Sequence, residues 1–407
     1  MKLLLINSVY GFRSTGRIVQ ELKEYAESKN DRVFVAYGRF LKEAEENVYR
    51  IGSKYSTIRH MAMTTLFDAH GFSSKNETKL LIKWIEEIKP DVIHIHNIHG
   101  YYLNIEVLFN YFKLSNIPVV WTLHDCWSFT GHCAHFEYAN CEKWKSQCHH
   151  CPEKCNYPIS YGLDNSSINY KKKREIFSGL DNIMLVCPSK WLSDRLNESF
   201  LNKYQTDIIN TGIDLNVFCK PNKKVLRPRE FVGKFIILGV ANPWSDRKGL
   251  SFFHELSKKL NSNEIIIMVG LNKKQINLLP KNIIGYEATQ SSKELAYFYQ
   301  ISDVFINPTL EDTYPTTNLE SLACGTPVIT FDSGGSSESI DDRTGIVLKK
   351  KNIESLIEAK NQVKKLGKDY FSTNCIEKSK NFNKKLFLEK YYSVYMKMIN
   401  TSSKHFG

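Results

Sequence analysis

The chain has 407 residues, 42% of them hydrophobic, which is enough for two domains of ordinary size and too many for one comfortable core. Its 55 Lys and Arg against 43 Asp and Glu leave a formal charge of +12, which favours an anionic partner such as a nucleotide phosphate, an acidic membrane surface or a nucleic acid. The opening apolar run turns polar at Asn7, too soon for a signal-peptide core, and no later stretch approaches the ~18 apolar residues of a membrane span, so the expected location is the cytoplasm, where the 10 cysteines stay reduced or metal-bound.

The run Lys2–Ile6 predicts a strand, Gly11 and Gly16 a turn, and Ile18, Leu22, Tyr25 and Ala26 the inner face of a helix. Strands follow at Val33–Tyr37, Val92–Ile95 and Val119–Leu123, with a helix over 78–88 that ends before Pro90. Strands alternating with helices imply a parallel sheet covered on both faces. The rhythm breaks over 126–158, rich in cysteine, histidine and aromatic residues without helical or strand period, which reads as an insertion-like loop. It restarts after residue 205 with strands at Phe235–Val240, Glu264–Val269, Val304–Asn307 and Val328–Phe331 and helices over 293–301 and 316–324. Leu386, Phe387, Tyr391, Val394, Tyr395 and Met398 recur at helical spacing and predict a terminal helix. The expected domains are 1–205, 206–385 and a C-terminal helix and tail over 386–407.

The most informative stretch runs from Asn307 to Ile329. Pro315 suits the first turn of a helix, and Gly325 with Pro327 ends that helix before the next strand. The amides of Thr316 and Thr317 then stand above the strand ends, where a helix N-terminus favours phosphate. Glu320 sits one turn on from Thr316, where a carboxylate accepts hydrogen bonds from ribose hydroxyls, and Asp312 precedes the helix, placed for the hydroxyls of a donor sugar. These residues resemble the retaining GT-B glycosyltransferases of group 1, family 4, and within them the enzymes that build colanic acid and other bacterial surface polysaccharides. The resemblance implies an α/β fold of two Rossmann-like domains facing across a cleft, the N-terminal one mainly for the acceptor and the C-terminal one for a UDP- or GDP-sugar, with retention of anomeric configuration. The family carries two glutamates separated by seven residues here, followed by Ala-x-Gly-x-Pro-Val. In this chain Glu320 is the second, Asp312 holds the first place and Glu311 lies one residue earlier, which leaves open which of the two contacts the sugar.

A second match is Gly239–Gly249. In the family an Arg and a Lys here bind the donor diphosphate; Lys248 fits the Lys, Arg247 is adjacent, and Asn242 stands at the usual Arg place. Lys248 and Arg247 offset the charge that grows on the departing diphosphate, and fixed cations make a catalytic metal unnecessary. His124, followed by Asp125, sits at the carboxyl end of a strand, where open α/β sheets place ligands, and the resemblance makes it a sugar-contacting residue. Gly16, in the Ser14–Arg17 turn, matches the loop that approaches donor phosphate and acceptor. Thr211–Asp214 with Phe218 is similar to the family's interdomain segment, and Leu66–Phe72 to a stretch of the colanic-acid branch, assigned to the acceptor side. Taken alone, Asp312 and Glu320 also fit solvated or capping carboxylates, Lys248 and Arg247 a solvated helix start, His124 a core histidine and Gly16 a tight turn.

Cys133, Cys141, Cys148 and Cys151 suit a structural zinc on a loop without a core of its own, with Cys126 and Cys155 as competing ligands and reduced buried thiols as the other reading. The basic runs Lys171–Arg174 and Lys349–Lys351 read as solvated faces. Residues 58–66 place Ile58, Met61, Ala62 and Leu66 on one helical face near Arg59 and His60, suited to an anionic membrane and hence to a lipid-linked saccharide acceptor. No side chain stands out as a covalent nucleophile, so leaving-group stabilisation and positioning carry the expected rate. Two other functions stay open on sequence: a sugar-nucleotide epimerase of the same fold, and a zinc-bearing nucleic-acid-binding protein, against which the lack of a basic stripe interleaved with aromatics argues.

Overall fold

The computed structural model describes residues 1–40, 45–221 and 225–404. The chain forms two compact units, Met1–Ile209 with the chain from Leu388 onward, and Asn210–Phe387.

The first unit has strands β1 (Lys2–Asn7), β2 (Arg32–Tyr37), β3 (Val48–Arg50), β4 (Val92–Ile95), β5 (Val119–Thr122), β6 (Ile183–Cys187) and β7 (Thr206–Ile208). Its helices are α1 (Arg13–Glu27), α2 (Lys54–Phe67), α3 (Lys75–Ile88), α4 (Ile105–Leu114), α5 (Ser166–Ile176) and α6 (Lys190–Asn197). All strands pair in parallel, in the order β3-β2-β1-β4-β5-β6-β7. Every residue of β4, β5 and β6 is buried, as continuous apolar runs are when helices cover both faces. Because β7 joins β6, the unit runs to Ile209, past the expected boundary at 205. Residues 126–158 are not an appendage: Trp127, Phe129, Phe136 and Trp144 belong to the core of this unit, with only two short 3-10 turns among them.

The second unit has strands β8 (Phe235–Val240), β9 (Glu264–Val269), β10 (Ile283–Tyr286), β11 (Val304–Asn307), β12 (Val328–Phe331) and β13 (Gly345–Leu348). Helices α7 (Leu250–Ser257), α8 (Lys273–Asn277), α9 (Ser292–Ile301), α10 (Thr316–Ala323), α11 (Ile353–Leu366) and α12 (Lys368–Ser379) connect them. This sheet is also parallel, in the order β10-β9-β8-β11-β12-β13. A buried ion pair ties α11 to the start of β9, with Lys360 Nζ 2.9 and 2.8 Å from the two Glu264 carboxylate oxygens. The Thr211–Asp214 segment meets the end of the unit, where Ile213 bridges to Asn383 and Asp214 pairs with Lys384 at 3.1 Å.

The last helix, α13 (Lys384–Lys404), leaves the second unit and completes the first. Its Tyr391 and Tyr395 hydroxyls bond to Thr122 at 2.9 Å and His94 at 2.7 Å, so the expected tail over 386–407 is divided between the units at Leu388. Among the described residues no helix is long and apolar enough to cross a membrane.

Candidate active site

In the second unit the strand order reverses between β8 and β11, so the connections leaving their carboxyl ends turn to opposite faces and open a crevice between them. β8 leads into a 3-10 turn at Asp246–Lys248, and β11 into the loop that carries Glu311 and Asp312. Topology therefore sets the basic pair beside the acidic pair. Lys248 Nζ forms an ion pair with Asp312 Oδ2. Arg247 Nη1 donates to the Glu311 carbonyl at 2.9 Å, while the Arg247 carbonyl accepts from the Leu310 N–H at 2.8 Å. The Glu311 residue is buried and Asp312 half-buried, so Asp312 is the carboxylate that meets Lys248.

The turn after β12 fastens this loop from behind. Ser333 Oγ donates to the Thr309 carbonyl at 2.6 Å, and the Gly335 N–H to the Asp312 carbonyl at 2.9 Å. Gly334 has φ +57, and a Cβ there would stand 1.9 Å from the Asp312 carbonyl oxygen, so only glycine fits. Asn318, fully buried in α10, joins the two segments: its Oδ1 accepts from Asn307 at 2.8 Å and its Nδ2 donates to the Ser336 carbonyl at 2.9 Å.

Pro315 is the N-cap of α10 rather than part of its first turn, which begins at Thr316. The N–H groups of Thr316 and Thr317 lie in that turn and have no intrahelical acceptor. One turn on, Glu320 Oε2 accepts from the Tyr299 hydroxyl at 3.0 Å. Burial and the neighbouring Glu320 charge push the Tyr299 phenol well above its ordinary value, so it remains a donor.

In the first unit, His94 and His96 alternate along β4 and its extension, while His124 follows β5. His96 Nδ1 lies 3.0 Å from His124 Nε2, with the rings stacked at 5.3 Å. His94 bonds to Thr122 Oγ1 at 2.8 Å behind them. Beyond His124, His99 Nε2 lies 2.9 Å from Asp125 Oδ2, and His99 Nδ1 3.0 Å from the Tyr157 hydroxyl. Burial, partly offset by the Asp125 charge, lowers His124 to about 4, which makes the imidazole neutral at pH 7. Burial alone would raise Asp125, but the adjacent His99 outweighs it and holds the carboxyl well below the usual range.

Gly16 lies inside α1, not in a turn before it; a Cβ there would meet Val9 Cγ2 at 3.1 Å and the Gly11 nitrogen at 3.3 Å, which makes it the close-packing point of helix on loop. The expected zinc ligands serve as core. Among the described residues no group of three or more His, Cys, Asp or Glu side chains is arranged to hold a metal ion. Cys126, Cys133 and Cys148 are buried, Cys141 and Cys151 half-buried, and Cys148 Sγ accepts the Gly131 N–H at 3.2 Å. The Cys133 thiol hydrogen-bonds to Cys151, which holds the Cys151 thiol below its ordinary value. In the basic run Lys171–Arg174, Lys173 is buried rather than solvated: its Nζ donates to the Trp127 carbonyl at 2.7 Å and the Thr130 carbonyl at 3.1 Å, anchoring the cysteine-rich loop. Sequence reasoning passed over His96, His99, Tyr157, Tyr299 and Ser333–Ser336; the spacing of His94 and His96 and the Gly334-Gly335 pair after a strand were the available signals.

Residues 15–217 match the family model described as Glycosyltransferase Family 4, and residues 227–382 the model described as Glycosyl transferases group 1. The chain belongs to the group 1 glycosyltransferases. This glycosyltransferase is 25% identical over 389 residues to WcaC of Escherichia coli (strain K12), a protein assigned by name to colanic acid biosynthesis, covering 89% of this chain and 91% of that one. Its fold is GT-B, shared with sucrose-phosphate synthase from Thermosynechococcus elongatus at a TM-score of 0.73 and 14% identity over 98% of this chain and 99% of that one. Anabaena Alr3699/HepE, solved in complex with UDP-glucose, superposes at a TM-score of 0.65 with 12% identity over 98% of this chain and 100% of that one.

Proposed function

We propose that this glycosyltransferase moves a sugar from a UDP- or GDP-sugar to a lipid-linked saccharide, with retention and without a catalytic metal, at the cytoplasmic face where bacterial surface polysaccharides such as O-antigen, capsule or exopolysaccharide are assembled. The observation that carries the reading is the meeting of Lys248 and Arg247 with the Glu311–Asp312 loop at the switch point of the second sheet, just ahead of the α10 N-terminus. A diphosphate seated there faces two fixed cations and the free amides of Thr316 and Thr317, all directed at the charge that develops as the glycosidic bond breaks. Asp312 orients Lys248, and turns to the sugar hydroxyls once phosphate takes the ammonium. Glu320, oriented by the Tyr299 hydroxyl, accepts from the ribose. Within the first unit, His124, neutral and steadied by His96, is the proposed sugar-contacting residue, and this unit is the proposed acceptor domain. The relative in colanic acid biosynthesis and the neighbour crystallised with UDP-glucose support the product class and the donor class.

Calorimetric titration of UDP- and GDP-sugars, with and without EDTA, tests the proposal. One donor should saturate the protein in both conditions, and Glu320→Ala and Lys248→Ala should weaken it by about tenfold or more, the scale of one or two lost charged hydrogen bonds. No binding of any nucleotide sugar by a folded protein overturns it.

A further inference from the structure

Helix α2 is inside out. The line that faces the protein carries His60 and Thr64, both fully buried, with His60 bonded to Ser74 Oγ at 2.9 Å and to the Gly71 N–H at 3.1 Å. The opposite line, spaced by turns of the helix, carries Tyr55, Arg59, Ala62 and Leu66, flanked by Ile58 and Met63. Tyr55 is 85% exposed, Ile58 62% and Leu66 54%, the reverse of what a helix packed on its own domain shows.

The apolar surface does not stop at the helix. Its last carbonyls are capped by a loop: the Tyr161 and Gly162 N–H groups donate to the Thr65 carbonyl and the Leu163 N–H to the Leu66 carbonyl, each at 3.0 Å. That strap sets Tyr161, 70% exposed, and Leu163, 55% exposed, next to Leu66. Cations lie beside the patch. Arg59 pairs with Glu77 at 3.1 Å, which brings the first turn of α3, with exposed Lys75 and Lys79, alongside. Lys54 opens α2, and Lys154 Nζ bonds to the Gly162 carbonyl at 2.9 Å.

From this juxtaposition we infer that α2 and the 159–163 strap form the surface by which this glycosyltransferase lies on an anionic lipid bilayer, the side chains of Tyr55, Ile58, Leu66, Tyr161 and Leu163 entering the acyl boundary and the flanking lysines reaching the headgroups. An exposed line of single apolar side chains flanked by Lys and Arg suits a fluid, negatively charged interface, into which each chain can sink separately, while the basic residues contribute attraction that salt weakens. The inference rests on the proposed lipid-linked acceptor for its purpose, and on the exposed face alone for its physics.

Flotation of the full chain with vesicles of phosphatidylcholine containing 30% phosphatidylglycerol tests it, with pure phosphatidylcholine vesicles as control. The expected result is binding to the anionic vesicles that falls about tenfold in Ile58→Ser/Leu66→Ser and in Tyr161→Ser/Leu163→Ser and weakens with salt. These side chains are exposed, so the variants should keep the wild-type melting temperature and the wild-type titration with the UDP- or GDP-sugar that the protein binds, which separates failure of this surface from failure of the transferase reading. Absence of binding to the anionic vesicles, undiminished binding by both double variants, or a wild-type dimer in light scattering that becomes a monomer in Ile58→Ser/Leu66→Ser would each overturn the inference, the last in favour of a second copy of the chain.

Discussion

Lys248 is ion-paired with Asp312, and in the proposed reaction a donor diphosphate draws it away. The pair is largely buried, with side chains 24% and 17% exposed, so the ammonium is already shed of much of its water. Lys248→Ala should lower kcat by about 10²–10³, the scale of losing one preorganised group that stabilises developing charge, with a smaller effect on donor affinity, read by steady-state kinetics. Lys248→Arg should recover only part of it, because a planar guanidinium does not reproduce a point charge. Gly334→Ala forces a Cβ into the Asp312 carbonyl at a left-handed φ and should move the loop itself, costing about 1–3 kcal/mol of stability together with donor binding, measured by thermal melting and titration. At this scale the sequence disclosed the charged residues because their type and spacing state their chemistry. It hid Tyr299, an ordinary core position by periodicity, whose role depends on which atom its hydroxyl meets. It also left Glu311 and Asp312 unresolved, since adjacent carboxylates differ only in which way the loop turns them.

At the scale of elements, buried charge shows where helices are pinned to strands. Lys360 on α11 and Glu264 on β9 are both buried, 1% and 0% exposed at their side chains, with Lys364 adding a contact at 2.7 Å. Lys360→Met leaves Lys364 to hold the Glu264 carboxylate and should cost about 1–3 kcal/mol, visible as a lowered unfolding midpoint in urea with an unchanged slope. The strands and helices with strong apolar period, such as β1, β8, β11, α9 and α10, were legible in the sequence. Missing were β3 and β7, three residues each and formed only because a neighbour offers a free edge, along with β6, β10 and β13. Helix α2 lay in the sequence as an apolar face suited to a membrane, and that face is exposed, whereas His60, expected beside it, is buried and secures the inner side through its hydrogen bonds. Periodicity reports that a helix has two faces and not which one its own domain covers.

For the whole molecule, the first unit stores many neutral histidines. Burial lowers His60 to about 3 and His124 to about 4, against about 6.5 in an unfolded chain. The unfolded chain therefore binds protons below about pH 6.5 that the folded one refuses, so stability is complete above that pH and declines as pH falls toward the folded values. Melting temperature should drop steadily from pH 6.5 to 5, and His60→Asn should flatten the slope; a profile level over that range would contradict it. Ending the chain after Phe387 should lower the transition of the first unit, which loses Tyr391, Tyr395 and their bonds to Thr122 and His94, and leave that of the second unit in place, as separate calorimetric peaks would show. The sequence announced two α/β halves through their repeated rhythm, and concealed this exchange at the C-terminus, since a helical period does not say which core it will enter.

Helix α13 also sets a timetable. A ribosome releases β1 to β7 first, and then the whole of the second unit, whose residues 210–387 are continuous in the chain and can fold as soon as they emerge. The first unit must wait through that interval with the polar groups of His94 and Thr122 still uncovered, because the tyrosines that satisfy them follow the second unit in the chain. The unit that is translated first is thus completed only after the second one, and its dependence on chaperones should persist until helix α13 has been released.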